Sequence, residues 1–495
     1  MSTTATTSGT LLDAEVFAGR IFLDGEWVVG GAGEIASTEP ATGETLSMVG
    51  MADAADVTRA AEGAARAQKE WAALPHPARA AVLRRAGQLW EEHAEEISGW
   101  NIREVGAIPP LAGFALHVTA AECYEASSLP SAPRGTVLSS EEPRLSLAEQ
   151  MPVGVVGVIS PFNVPLILGI RAVAPALALG NAVLLKPDPR TVVTGGVSMV
   201  RIFEEAGLPA GVLQLVPGGA EVGEAMIADP RVRVIAFTGS TRAGRSVGEQ
   251  AGRHLKRAHL ELGGNSAYIV RADADVDKAV NLATWGAFLH QGQICMTVGR
   301  HIVHESVFDE YVAKLAAKAE SMHVGDPAAG QVHLGPLIDE VQRDRVHTLV
   351  QDAVAQGAEL KAGGTYDRLF YRPTVLANTP RDAAAYCDEV FGPVASVVSF
   401  STDDEAVELA TESDYGLSLG IVTADVFGGL ELARRIPTGI VHINDQTVND
   451  EANAPFGGTG SSGTGSRHGG AQANIDAFTE TRWITMRREP GQYPL

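Results

Sequence analysis

The chain has 495 residues, 45% of them apolar and 20% charged, with a formal net charge of −22. That length exceeds one compact core and calls for two or three domains, while the ordinary apolar content argues against global disorder. A surplus of acid on this scale excludes a nucleic-acid or anionic-membrane surface as a partner, since both need clustered Lys and Arg.

Cys123, Cys295 and Cys387 are too few for a disulfide framework, and no CxxC pair or HExxH run supports a metal site. Residues 1–20 show neither a basic start nor a long apolar run, so no secretory leader is expected. The most apolar stretch, Met151 to Leu185, is interrupted by Pro161, Asn163, Pro165, Arg171 and Pro175, which argues against a membrane span. The expected compartment is the reducing cytoplasm.

Residues 51–103 space Ala, Leu, Val and Trp at helical intervals. Leu129 to Arg144, richer in Pro and Ser, breaks that pattern. From Val153 the rhythm changes. VGVVGVIS reads as a buried strand, Pro165 to Leu179 as a helix stopped by Gly180-Asn181, and AVLLK as a second strand. TVVTGGVSMVRIFEEAG reads as one helix, followed by the strands VLQLV, VRVIAFTG and AHLEL. Strands alternating with helices of this length predict a parallel, doubly wound sheet. A second α/β set begins near Gly263. Val276 to Gln291 is predicted as helix, RHIVHES as strand, SVFDEYVAKLAAKAESM as helix, and VASVVSF, LSLGIVTA and TGIVHIN as further strands around the helix EAVELATES. The glycine-rich tract after Phe456 is too rich in Gly for helix or strand and reads as a flexible loop beside the active site.

Four segments could carry chemistry. Cys295 lies in HQGQICMT, where a helix gives way to a Gly-interrupted turn. A cysteine chosen blind is usually a buried small hydrophobe, yet a polar, glycine-containing approach suits a nucleophilic thiol; Cys123 and Cys387 lack it. Glu261 ends the strand AHLEL before Gly-Gly-Asn-Ser, either facing a ligand crevice or bonding the turn amides of Gly263 and Gly264. Asn163, between prolines in SPFNVP, could donate to an oxyanion or merely cap the turn. Thr238-Gly239-Ser240-Thr241-Arg-Ala-Gly244 follows a strand and opens a helix, as a phosphate-binding turn does, without the strict GxGxxG fingerprint.

The ordered motifs SPFNVP, GNAVLLKPDP, FTGSTRAG, ELGGNS, GQIC, EVFGPV and PFGG together resemble the aldehyde dehydrogenase superfamily along nearly the whole chain. LLKPDPRT, FLHQGQICM, RHIVH and VHINDQ resemble its benzaldehyde dehydrogenases. The resemblance implies an α/β fold with a Rossmann-like nicotinamide-dinucleotide domain (1–128 and 148–262), an α/β catalytic domain (263–476) and a small β bridging element for oligomerisation (129–147 and 477–495). It implies Cys295 as nucleophile, Glu261 as general base, and Asn163 with the Cys295 amide as oxyanion hole. Lys186 would meet the adenosine ribose, Gly239 and Ser240 the pyrophosphate, and Glu389 the nicotinamide ribose with Phe391 beside it. Ile159, Ser160, Pro161, Phe162, Pro189, Gly219, Gly223, Thr238, Gly244 and Leu262 would complete the cofactor wall. Leu168, Arg171, Ile294, Met296 and Phe456 would surround the aldehyde, with Arg171 either snorkelling out to pair with an acid or stacked on the substrate ring. Pro189 stands where many NAD-using members carry Glu, and Phe162 where Trp is usual. NAD is therefore the expected cofactor with NADP as a second candidate, and the expected assembly is a homo-oligomer, dimer or tetramer. The rival readings are a cysteine hydrolase pairing Cys295 with His290, a CoA-acylating dehydrogenase, and a non-catalytic member of the same family.

Overall fold

Five strands, Val155–Ile159, Ala182–Lys186, Leu213–Leu215, Val232–Thr238 and Arg257–Glu261, form the parallel heart of a seven-stranded sheet in the computed structural model, which describes residues 10–494. Residues 1–9, on which the absence of a leader was partly read, lie outside the described residues. In chain order these strands lie 3-2-1-4-5 across the sheet, with helices on both faces. Val155–Ile159 and Ala182–Lys186 are buried at every position. Two covered faces explain why they read as continuous apolar runs instead of alternating. The winding reverses between Val155–Ile159 and Val232–Thr238, and such a switch point opens a ligand crevice at the carboxyl ends of the strands. Both SPFN and TGST leave the sheet at that place.

The sheet is finished by an antiparallel hairpin, Arg20–Leu23 with Glu26–Val29, for which the helix-and-strand rhythm gave no expectation. Its turn is Asp24-Gly25, both at positive φ (53° and 88°). Asp-Gly is a strong hairpin signal and would have found it.

A second seven-stranded sheet runs, in spatial order, Glu359–Ala362, Thr374–Ala377, Val394–Phe400, Val298–His304, Ser266–Val270, Ser418–Val422 and Ile440–Ile443, parallel except at its first pair. A third, antiparallel sheet joins Gly135–Val137, Leu145–Pro152 and Thr479–Met486, with Trp483 64% exposed and donating to Ser146 Oγ at 2.8 Å. Among the described residues no helix is long and apolar enough to cross a membrane.

Four expectations need correction. The strand Leu145–Pro152 runs five residues past the expected end of the bridging element. Ile475, expected in the second lobe, and Ala477 and Phe478, expected in the bridging element, pack into the core of the first lobe. The single helix expected from Thr191 is a 3-10 turn, a π stretch (Val193–Val197) and an α-helix (Ser198–Glu205). Buried Glu104 causes the break by accepting the amides of Val193 and Thr194 at 3.1 and 2.6 Å. Finally, the helix from Val276 ends at Phe288, because His290 and Gln291 adopt positive φ (53° and 58°).

Candidate active site

That departure from helix delivers Cys295 to the cleft. Gln291 holds the turn open with bonds from its amide to Pro336 O (2.8 Å) and from the Gly335 amide to its own Oε1 (3.0 Å). Gln293 Oε1 accepts from the Ile338 amide. His290 is buried and donates through Nε2 to Asn163 O at 2.7 Å. Its Nδ1 has no hydrogen-bond partner, Cys295 Sγ included, and burial pulls its pKa down to about 4. An imidazole whose conjugate acid is this strong, and which makes no contact with Sγ, does not serve as base for the thiol, and the hydrolase reading falls.

The sequence motifs converge on this turn. Asn163 does not cap its own loop; Nδ2 crosses the cleft to Gln293 O at 2.8 Å, two residues before the cysteine. Gly264 lies against the cysteine backbone, where a Cβ would stand 2.2 Å from Cys295 O. Glu389 folds onto the same turn, accepting the Gly264 amide at 3.0 Å. Gly457 adopts φ +155° and places its backbone where a Cβ would be 2.8 Å from Glu261 Oε1. The glycine tract is pinned down, in contrast to the flexible loop expected: Leu262 N–H donates to Ser462 O, and Ser462 Oγ to Gly416 N is 3.1 Å.

Burial governs the electrostatics. It pushes the Cys295 thiol up to about 12, with Glu389 and Glu261 adding to the shift. Glu261, 3% exposed, rises to about 8 against the opposing pull of Arg171 and Arg467, and Glu389 to about 7. A low-dielectric site disfavours every charged form, so the thiol does not ionise ahead of bond formation, and a neighbouring carboxylate can take its proton only as that bond forms.

A cavity of about 340 Å³ opens on Cys295 and Asn163, lined by all five expected pocket residues: Leu168, Arg171, Ile294, Met296 and Phe456. Phe114 and Trp285, 42% and 49% exposed, also line it and were missed, because their helices show no chemical motif. Arg171 does not snorkel to solvent. It is 3% exposed, pairs with Asp450, lies 3.5 Å from Glu122, and stacks 4.2 Å above the Phe456 ring.

The crevice beside the first sheet suits a dinucleotide. Lys186 is 7% exposed, forms no ion pair among the described residues, and has its pKa lowered by burial, opposed by Asp188 and Glu221. Buried Ser160 Oγ has no hydrogen-bond partner. Gly223 brings a helix to within van der Waals reach of Ile159 and Lys186. Ser240 caps the thirteen-residue helix Thr241–Arg253, and Gly244 lets that helix lie on Leu262. Unpartnered polar groups, a helix N-terminus and close helix packing at a switch point are what a pyrophosphate-bearing ligand requires. Gly219 caps the helix Ala220–Ala228; Pro161 and Phe162 follow the strand Val155–Ile159, Pro189 opens a 3-10 turn, and Thr238 ends the strand Val232–Thr238.

A thiol, a raised carboxyl and an amide donor around one cavity, next to a dinucleotide crevice, define an oxidoreductase that works through a covalent adduct. The model of the aldehyde dehydrogenase family matches residues 27–484, and the chain belongs to that family. It is thus an aldehyde dehydrogenase using a nicotinamide cofactor. It is similar to a vanillin dehydrogenase of Amycolatopsis sp., 63% identical over 98% of this chain and 99% of the relative. A benzaldehyde dehydrogenase [NAD(+)] of Pseudomonas putida is 48% identical over 97% and 98%. The solved salicylaldehyde dehydrogenase of Pseudomonas putida G7, complexed with salicylaldehyde, superposes with TM-score 0.93 at 35% identity, covering 96% and 99%.

Proposed function

We propose that the chain oxidises an aromatic aldehyde, benzaldehyde or a ring-substituted relative, to the carboxylic acid. The carrying observation is the cavity itself: Cys295 and Asn163 open into a space walled by Phe114, Trp285, Ile294, Met296 and Phe456, apolar and able to pack a flat ring. The names of the relatives support the same substrate class.

In this reading Cys295 Sγ adds to the carbonyl carbon. Its proton leaves as the bond forms, since burial disfavours a free thiolate, and Glu261 or Glu389, raised to about 8 and about 7, can receive it. Asn163 Nδ2, already turned toward the Cys295 segment, donates to the oxyanion of the thiohemiacetal. A bound nicotinamide dinucleotide supplies the hydride acceptor. Glu261 then deprotonates water, which hydrolyses the thioester on Cys295 and releases the acid. Lys186, Ser160, Gly239 and Ser240 hold the dinucleotide along the first sheet, with Glu389 and Phe391 at its nicotinamide end.

NAD is the preferred cofactor, supported by the acidic Glu221 near Lys186 and by the Pseudomonas putida relative named for NAD(+). Pro189 adds no further carboxylate, so NADP is accepted more weakly. Residues 129–152 and 479–486 form the oligomerisation element; exposed Val137, Leu145, Trp483 and Met486 support burial against another copy. Three free cysteines support a reducing, cytoplasmic compartment. Reduced-nicotinamide absorbance across an aldehyde panel, with NAD and NADP, tests the reading. A higher kcat/KM for a straight-chain aldehyde than for benzaldehyde would falsify it, and so would near-wild-type turnover in Cys295→Ala. Acid should be the product with or without CoA.

A further inference from the structure

Arg190 follows Pro189 in the 3-10 turn at the end of the strand that carries Lys186, on the rim of the cleft between the lobes. Its guanidinium makes three kinds of contact at once. Two parallel bonds reach Asp188, Nε to Oδ1 at 2.9 Å and Nη2 to Oδ2 at 2.8 Å. Nη1 crosses to Asp339 Oδ2 at 2.6 Å, and Cζ stands 4.2 Å above the Phe162 ring. Asp188 and Phe162 belong to the first lobe. Asp339 belongs to the second, where it caps the helix Glu340–Ala355 by accepting the Gln342 amide at 2.8 Å.

From that helix the contacts return to the cleft. Gln342 Nε2 donates to Phe391 O at 2.7 Å, and Arg345 donates to Glu389 O and Val390 O, each at 2.7 Å. Phe391, held at φ 54°, meets Phe162 edge-on with ring centroids 5.9 Å apart. The circuit Arg190–Asp339–Gln342–Phe391–Phe162 therefore closes on itself across the opening.

We propose that Arg190 is a positioning residue that latches the two lobes over the dinucleotide cleft, and that breaking the latch gates release of the nucleotide. The inference rests on the reading of that cleft as the cofactor site. A lone ion pair between side chains 40% and 32% exposed would contribute little. Here the planar fork is fixed by Asp188 and by the Phe162 ring before it reaches Asp339, so less freedom is lost in making the cross-lobe bond. The Glu389–Phe391 loop holds a residue in a left-handed conformation, and such a loop depends on its neighbours to stay there.

The test is stopped-flow displacement of reduced nucleotide from the full-length protein, followed by its fluorescence. Arg190→Gln and Asp339→Asn should each speed dissociation by roughly five- to tenfold, and the double variant should add little more, since both cut one bond. The KM for NAD should rise with it, while the KM for benzaldehyde and the burst amplitude stay at wild-type values. Arg190→Lys, keeping the charge but not the fork, should fall between. Without nucleotide, amide hydrogen exchange at residues 389–391 should quicken in Arg190→Gln. Unchanged dissociation in Arg190→Gln, or effects that simply add in the double variant, would overturn the latch. Failure of the unmodified protein to bind NAD by calorimetry would instead remove the cofactor reading, and hydrogen exchange would then judge the cross-lobe contact alone.

Discussion

Glu261→Gln is the perturbation with the most calculable outcome. The carboxyl is 3% exposed, and burial lifts it to about 8 from the ordinary 4.5. At that value about one carboxyl in eleven is ionised at pH 7, one half at pH 8 and about ten in eleven at pH 9. Where deacylation limits turnover, kcat of the unmodified protein should climb about tenfold from pH 7 to pH 9 and then level off. The glutamine variant keeps the shape and loses the base. Its steady turnover should fall by a factor of about 10² to 10⁴ and lose this pH dependence, while the burst of reduced cofactor in the first turnover survives. Rapid mixing with benzaldehyde and NAD, read by reduced-nicotinamide absorbance at each pH, separates the two phases. A variant that keeps the wild-type slope between pH 7 and 9 would refute the assignment of the base. Loss of burst and turnover together would move Glu261 to the thiol-activation step.

The same shift has a thermodynamic face. Between about pH 4.5 and 8 the folded protein holds a proton that the unfolded chain has released, so stability falls as pH rises through this window. The cost is absent below 4.5 and complete above 8. Glu261→Gln should therefore match the wild-type melting temperature near pH 4.5 and exceed it at pH 9, by an amount set by the buried charge.

Other outcomes follow from single contacts. Asn163→Ala should lower kcat by about 10²- to 10³-fold, about 3–4 kcal/mol of lost oxyanion stabilisation, with nucleotide affinity intact by calorimetry. Phe456→Ala removes the ring under Arg171 and should raise the KM for benzaldehyde up to about tenfold, with a smaller change for acetaldehyde; equal changes would deny the ring contact. Pro189→Glu should reduce NADP use selectively in kcat/KM, and equal loss with both cofactors would indicate a distorted turn instead.

Much of the fold was legible because its central strands are buried on both faces, and continuous apolar runs such as VVGVI and AVLLK admit few other readings. The N-terminal hairpin was not read, although its Asp-Gly turn signals one: Arg20–Leu23 and Glu26–Val29 are four residues each, and neither shows the alternating burial of a strand with one covered face. The positive φ at His290 and Gln291 was invisible. Two successive non-glycine residues rarely adopt that backbone; bonds to Asn163 O, Pro336 O and Gly335, from distant parts of the chain, hold it. Cys295, Glu261 and Asn163 could be singled out as residue types in glycine- and proline-bound turns. Their partners could not: Asp450 and Glu122 meet Arg171 from a loop and a helix that carry no motif.

Ile475, Ala477 and Phe478 complete the core of the first lobe, and Asn181 Nδ2 donates to Phe478 O at 3.0 Å from nearly three hundred residues upstream. The lobe that carries Lys186 and Ser160 therefore cannot seal itself while the polypeptide is still being made. It waits, with an apolar gap, until the last helix, Ala471–Phe478, leaves the ribosome. A fragment cut after Leu262 should expose that gap and aggregate, whereas supplying residues 471–486 as a separate peptide should restore a compact particle. Anyone grafting this lobe onto another dehydrogenase to change its nucleotide preference would have to carry the distant C-terminal piece along with it.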